Sequence, residues 1–258
     1  MRMQQDAGEQ QRREFFAANV DCVDKFVHAF RNIPDHFITD EAFMERFILE
    51  HIGLNNENLH EQPAELSPYY GTGLHIWQNP MQFSKLIVWL INNAQHCNTY
   101  FEIGCRWGGT FIVLCETLKR ANPDFRLAIA ADLIDPPPFM QRYIELSPIT
   151  EVQVGYFHGS STSQEFAEVV AQYKPDITFI DGDHSCLGAL KDYMLVRDYS
   201  DIVVFHDVWS DACPESSFLW DCLKKLETTK NNIEFIEQYQ GVNGNFLGIG
   251  ILYADSGA

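Results

Sequence analysis

Two short apolar runs each end in acid and imidazole. Ile177 to Ile180 (ITFI) runs into Asp181, Gly182, Asp183 and His184, and Ile202 to Phe205 (IVVF) runs into His206 and Asp207. Fully apolar runs of this length suit buried parallel strands. Carboxylates and histidines gathered at one end of such strands are hard to explain by folding alone. Asp181 and Asp207, at the ends of adjacent strands, are placed to share one divalent cation. A hard cation such as Mg²⁺ wants carboxylate oxygens. Such an ion lowers the pKa of a bound hydroxyl and fixes its position. The imidazole of His184 titrates near neutral pH and can accept a proton from that hydroxyl. The bland alternatives are an Asx-turn or helix cap for Asp183 and His184, and a core histidine for His206.

A second chemical stretch lies earlier, at Thr99 to Thr110 (TYFEIGCRWGGT). An apolar run ends at Gly104, Gly108 and Gly109 follow, and a helical apolar pattern starts at Phe111. This is a strand, a glycine-rich turn and a helix. The turn lets a ligand approach the backbone, and the helix start favours an anionic group. Glu102 beside the turn repels a pyrophosphate and suits a cation.

Around these stretches, strand and helix patterns alternate. Strands are expected at 99–103, 127–131, 152–157, 177–180 and 202–205, with helices at 164–173, 186–196 and 218–226. A terminal antiparallel hairpin is expected from Ile233 to Tyr239 and Phe246 to Tyr253 around the GVNGN turn. The expected fold class is α/β: a Rossmann-like, doubly wound, seven-stranded sheet with a terminal antiparallel hairpin. Asn79-Pro80 marks a helix start, with Met81, Phe83, Leu86, Ile87 and Leu90 as its buried stripe. Trp77, Gln78 and Gln82 at that entrance touch the ligand, or else Trp77 is a core anchor and the two glutamines are solvated. Residues 71–258 form the expected main domain. Residues 1–70 form an N-terminal helical appendage, a lid or an interface. Within it, residues 1–13 are expected to fray, helices to run from Glu14 to about Ile52 with Asp40 as an N-cap, and Asn55 to Tyr70 to be loop.

In a doubly wound sheet the ligand lies outside the carboxyl ends of the strands, at the switch point. A dinucleotide requires G-x-G-x-x-G, which is missing here. A cofactor without phosphates fits better, and S-adenosylmethionine has the right parts. Asp132, at the end of the second strand, accepts its ribose hydroxyls unless it caps a helix. Glu102 acts indirectly on its ammonium group, beside the turn residues Gly104, Cys105 and Gly108. Gly159 and Ser160 border the adenine, although Ser160 or Thr162 has an alternative as a helix cap. Asp181 serves both sides, bordering the cofactor and holding the cation.

The stretches FEIGCRWGGT, AADLI and DITFIDGDHS…VVFHDV together resemble class I S-adenosylmethionine-dependent methyltransferases. The IDGDHS and FHDV pair, with GLHIWQNPMQF, is similar to the metal-dependent small-molecule and sugar O-methyltransferases, the methyltransferase family 24 and cephalosporin-hydroxylase-like group. The resemblance covers about Gly71 to Tyr253. It implies metal ligands at Asp181, His206 and Asp207, and a catalytic base at His184, three residues after the strand-four aspartate. That family usually has a carboxylate where His206 stands. A histidine there shifts the preference from Mg²⁺ towards Mn²⁺, Fe²⁺ or Zn²⁺, or does not ligate. The implied activity is O-methylation of a small hydroxylated molecule, a sugar or secondary metabolite. The rival is a methyltransferase fold that has lost catalysis and serves as a binding or assembly module.

Composition narrows the partners. The 258 residues carry 18 Lys and Arg against 36 Asp and Glu, a formal charge of −18. Such a surface repels nucleic acid and anionic membranes. The seven cysteines are scattered without metal-ligand spacing, as expected of reduced thiols in a cytosol. Met1 to Glu14 lacks a signal-peptide apolar core, and the longest apolar run, Leu86 to Ile91, is too short to span a bilayer. A cytoplasmic protein is expected. Its oligomeric state is left open, a homo-oligomer included, and so is the acceptor. The acceptor pocket is expected from residues 1–70 and 209–217, with Trp209, Phe218 and Trp220 as a candidate wall.

Overall fold

The computed structural model describes residues 2–56 and 64–254. The chain opens with α1 (Arg2–Ala18), α2 (Asp21–Arg31), α3 (Asp35–Ile38) and α4 (Glu41–Phe47), which runs into a π-helical turn, Ile48–Ile52. The helix therefore begins at Arg2 rather than Glu14. Its Gln, Glu and Arg residues are good helix formers, and Arg13 donates to the Asp135 carbonyl at 2.6 Å. Asp40 caps α4, accepting from the Phe43 N–H at 3.0 Å. Of the expected loop from Asn55 to Tyr70, residues 57–63 lie outside the described residues, and Ala64–Tyr69 forms a 3₁₀ helix.

The main sheet alternates with helices as the patterns require. In order come α5 (Pro80–Asn93), β1 (Thr99–Ile103), α6 (Gly109–Ala121), β2 (Leu127–Asp132), α7 (Pro138–Glu145), α8 (Ser147–Thr150) and β3 (Gln153–His158). Then follow α9 (Gln164–Tyr173), β4 (Ile177–Ile180), α10 (Cys186–Val196), β5 (Ile202–His206), α11 (Pro214–Leu226), β6 (Asn231–Phe235) and β7 (Ile249–Tyr253). The seven strands lie in the order β3-β2-β1-β4-β5-β7-β6. The first five are parallel, and β7 is antiparallel to β5 and β6. The order reverses between β1 and β4, which brings the ends of β2, β1, β4 and β5 side by side.

Strand alternation divides the core into two. Tyr100, Ala128, Ala130, Phe179 and Val204 join α2, α4, α5, α6 and α7 on one face. Phe101, Ile103, Ile129, Val203 and Phe205 join α9, α10 and α11 on the other. Buried charge ties the N-terminal helices to the first face. Arg31 Nε donates to Glu116 Oε2 at 2.6 Å, and Tyr143 donates to Glu116 Oε1 at 2.8 Å.

The terminal strands are shorter than expected. Gln82 stands between them from the start of α5, fully buried. Its amide donates to the Glu237 carbonyl at 3.1 Å and the Phe246 carbonyl at 3.3 Å, and accepts the Gly248 N–H at 2.9 Å. These are backbone groups a longer ladder would have used. Leu247 (φ 61°) and Gly248 (φ 95°) turn the chain away from strand geometry. Gln82, like Gln78, is therefore buried rather than solvated, and it serves the fold.

Candidate functional site

The carboxyl ends of β4 and β5 bring four titrating side chains together. His206 Nδ1 lies 3.1 Å from Asp181 Oδ1 and 3.4 Å from Asp207 Oδ2. His184 Nε2 lies 3.3 Å from Asp181 Oδ1, and its Nδ1 lies 3.5 Å from Asp207 Oδ2. Each carboxylate is therefore faced by both imidazoles. His206 and Asp207 are buried, whereas His184 is partly open. A cavity of about 10 Å³ opens beside the cluster, with Asp181, His184 and His206 in its wall.

Two opposing effects set the charge here. Burial disfavours an ionised Asp181 or Asp207, but His206 outweighs it, and both carboxyls sit below the ordinary range. For His184, the bond to Asp181 and then that to Cys213 push its pKa up to about 11. For His206, burial opposes the charge, yet Asp181 and Asp207 prevail and raise it to about 10. The site is built to hold positive charge between two carboxylates.

The local backbone explains the convergence. Asp207 adopts φ 57°, a left-handed conformation uncommon outside glycine. Ser217 Oγ, in the first turn of α11, donates to the Asp207 carbonyl at 3.1 Å and accepts the Ser210 N–H at 3.0 Å, holding that turn. Asp183 takes the bland role: it accepts the Ser185 N–H at 2.9 Å in an Asx-turn, and Ser185 caps α10. His184 has no capping bond and points into the cluster.

The cofactor-side residues form a neighbouring group. Asp132 accepts the Arg106 N–H at 2.6 Å through Oδ2 and the Ile134 N–H at 3.2 Å through Oδ1. It anchors the glycine-rich turn to the end of β2 and caps no helix; Pro137 precedes α7. The Gly159 N–H donates to the Asp132 carbonyl at 2.9 Å, so the end of β3 joins them. Ser160 is exposed, and its hydroxyl bonds Thr162; Ser163 is the residue that caps α9.

The glycines of the turn answer to protein packing. A Cβ on Gly104 (φ 89°) would stand 2.1 Å from the Asp181 carbonyl oxygen, so the two halves of the site touch at this point. A Cβ on Gly108 (φ 85°) would meet the Met140 side chain at 2.5 Å, and one on Gly109 the Leu74 carbonyl at 2.3 Å. Glu102 is buried beside the turn. It is 1% exposed and accepts a hydrogen bond from Tyr100, and burial holds its carboxyl well above the ordinary range. Cys105 is also buried, its thiol pushed up by burial.

One residue of the cluster had no sequence signal. Cys213 places Sγ 3.1 Å from His184 Nδ1, although no sequence spacing links them. Gln78 is fully buried with neither amide atom hydrogen-bonded to protein. Trp77 beside it lies under the Arg106 guanidinium, 5.3 Å from the ring centroid, at the glycine-rich turn. Of the aromatic residues considered as an acceptor wall, Trp220 is core, donating to Glu234 at 2.9 Å, while Trp209 and Phe218 are exposed.

No protein-family model matches the chain, and no curated protein matches it in sequence. Solved structures do match. The O-methyltransferase from Bacillus cereus in complex with SAH superposes with a TM-score of 0.50 over 90% of this chain and 96% of its own, at 14% identity. The O-methyltransferase TomG from Streptomyces achromogenes, involved in tomaymycin synthesis and in complex with SAM, gives 0.51 over 85% and 98%, at 15% identity. The fold is that of the O-methyltransferases. It is the expected Rossmann-like α/β architecture with a terminal antiparallel hairpin, whose strands lie in the order β5-β7-β6. No described helix is long and apolar enough to cross a membrane.

The donor set fits a divalent cation. Four donors about 2.1 Å from a tetrahedral ion lie about 3.4 Å from one another. His206 Nδ1 lies 3.1 Å from Asp181 Oδ1 and 3.4 Å from Asp207 Oδ2, and the donor atoms of Asp181, His206 and Asp207 all fall within 4.8 Å of one another.

Proposed function

We propose that this chain is an S-adenosylmethionine-dependent O-methyltransferase acting on a hydroxyl of a small molecule, with a divalent cation held by Asp181, His206 and Asp207. One observation carries the reading: on a fold shared with O-methyltransferases, two carboxylates and two imidazoles converge where β4 and β5 end, in contact with the glycine-rich turn. The cofactor sits along the ends of β1, β2 and β3, with Asp132 the acid for its ribose hydroxyls and Gln78 offering its free amide to polar groups at the entrance of α5. Asp132 keeps acceptor capacity for this, because each carboxylate oxygen has a second lone pair.

S-adenosylmethionine supplies an electrophilic methyl group, and the cation supplies positive charge that acidifies and orients an acceptor hydroxyl. The chain's residues do the rest. Asp181 and Asp207 hold the charge at a fixed point, and the Asp207 turn, pinned by Ser217, keeps it there. His184 takes the hydroxyl proton at an imidazole nitrogen. It requires a neutral ring for this, and positive charge between the carboxylates opposes the pull that otherwise keeps it protonated. The surrounding apolar strands exclude water from the buried side. The surface charge of −18 disfavours nucleic acid as acceptor and leaves small molecules as the fitting class. Reduced cysteines and a cytoplasmic location belong to the same reading.

The test is turnover. The chain is incubated with S-adenosylmethionine, Mn²⁺ or Mg²⁺ and a panel of sugars, catechols and hydroxylated aromatic compounds, and S-adenosylhomocysteine release is followed. Acceptor-dependent release that EDTA abolishes, and that falls about 10²–10⁴-fold in His184→Ala at unchanged cofactor affinity, is the expected result. Turnover unaffected by His184→Ala removes that residue from the chemistry.

A further inference from the structure

The titrating cluster has a second lobe, of which Cys213 has no role in the proposed reaction. Cys213 Sγ lies 3.1 Å from His184 Nδ1, and the donor atoms of Cys213, His184 and Asp207 all fall within 4.8 Å of one another. Those of Asp181, His206 and Asp207 do the same. Asp207 belongs to both lobes. Two donors on one ion, a nitrogen or oxygen at about 2.1 Å and a sulfur at about 2.3 Å, stand at most about 4.4 Å apart. The thiol needs only a small side-chain adjustment to share an ion with Asp207.

The thiol is fixed in place rather than carried on a loose loop. The Cys213 N–H donates to the Ser210 carbonyl at 3.2 Å, and the Ser217 N–H donates to the Cys213 carbonyl at 3.2 Å. Ser217 also holds the Asp207 carbonyl, and Ser216 Oγ donates to the His184 carbonyl at 3.1 Å. The first turn of α11 therefore positions Asp207, His184 and Cys213 together. Pro214 at the start of that helix sets where the turn begins.

Ligand softness then bears on the ion. Mg²⁺ takes oxygen ligands and gains nothing from sulfur or imidazole. Thiolate and imidazole select Zn²⁺, Co²⁺ or Fe²⁺. We propose that Cys213 is a thiolate ligand of the cation centre and makes it selective for such thiophilic divalent ions over Mg²⁺. On binding, the S–H bond breaks, its proton passes to solvent, and sulfur donates its electron pair to the ion; no redox change is involved. The inference rests on the cation reading of the same site.

Co²⁺ titration of the metal-stripped full-length chain separates the two. Visible d–d bands report that the ion is bound, and a near-ultraviolet charge-transfer band reports a thiolate on it. The wild type is expected to show both. Cys213→Ser is expected to keep d–d bands, lose the charge-transfer band, and lose at least tenfold of the preference for Zn²⁺ over Mg²⁺ in competition. Cys222→Ser, a control at another partly exposed thiol, is expected to match the wild type. Bound Co²⁺ without a thiolate band, or a band that survives Cys213→Ser, overturns the inference and leaves the cation reading standing. A wild type that gives no d–d bands overturns both.

Discussion

His206 Nδ1 and Asp181 Oδ1 stand 3.1 Å apart across the boundary between β5 and β4, and His184 reaches the same oxygen at 3.3 Å. One carboxylate oxygen thus faces two imidazoles, a geometry suited to an ion between them. Asp181→Asn halves the anionic charge that holds this ion. It is expected to weaken Mn²⁺ binding at least tenfold and to lower turnover by two orders of magnitude or more, while leaving S-adenosylhomocysteine affinity within about threefold. Calorimetric titrations of ion and of S-adenosylhomocysteine, run on the same preparation, check this.

Gln82 supports the terminal hairpin from beneath. Gln82→Leu leaves the carbonyls of Glu237 and Phe246 and the N–H of Gly248 without their partner. Unmet buried groups cost about 1–3 kcal/mol each, partly relieved by relaxation. A loss of about 3 kcal/mol is expected in urea unfolding. A loss under about 0.5 kcal/mol means that the hairpin holds without it.

The N-terminal helices depend on the Arg31–Glu116 pair. Glu116 is 2% exposed, so Arg31→Met strands a buried carboxylate. The expected cost is about 3 kcal/mol. Adding Glu116→Gln should recover much of it, because the uncompensated charge is then gone. A double-mutant cycle measures this, with strong coupling expected and additivity contradicting it.

His75 makes stability depend on acidity. It packs edge-on against Phe15 and Phe16 with ring centroids 5.1 Å away, and burial lowers its pKa from 6.5 to about 4. The unfolded chain binds the proton first as pH falls. This contribution is therefore complete above about pH 6.5 and is lost as pH drops towards about 4. The loss is on the order of 2 kcal/mol. His75→Asn, which tolerates the local φ of 54°, should flatten that part of the profile when unfolding is compared at pH 7 and pH 4.5.

Much of the frame was legible because burial writes itself into pattern. Ile177–Ile180 and the run before His206 are apolar on both faces, as only central parallel strands need to be, so Asp181 and Asp207 stood out at their ends. The helices at 164–173 and 186–196 were equally plain from their apolar periodicity, although their caps proved to be Ser163 and Ser185 rather than the residues expected. What escaped depended on tertiary contact. The β6–β7 ladder stops early because a glutamine some 150 residues upstream takes its backbone groups. Burial raises the pKa of the Glu102 carboxyl, which a one-dimensional pattern does not carry. The left-handed turn at Asp207 and the approach of Cys213 to His184 arise from how α11 lands on β5. The glycines of the turn were visible, but their reason was not: Gly104 is required by the Asp181 backbone pressing on it.

The central claim is that the ends of β1, β2 and β3 hold S-adenosylmethionine, and calorimetric titration with S-adenosylhomocysteine tests it most directly. Saturable one-to-one binding by the wild type is expected, with a loss of at least tenfold in affinity in Asp132→Ala, the variant's fold being verified by circular dichroism. A folded wild-type chain that takes up no S-adenosylhomocysteine at millimolar concentration would contradict it.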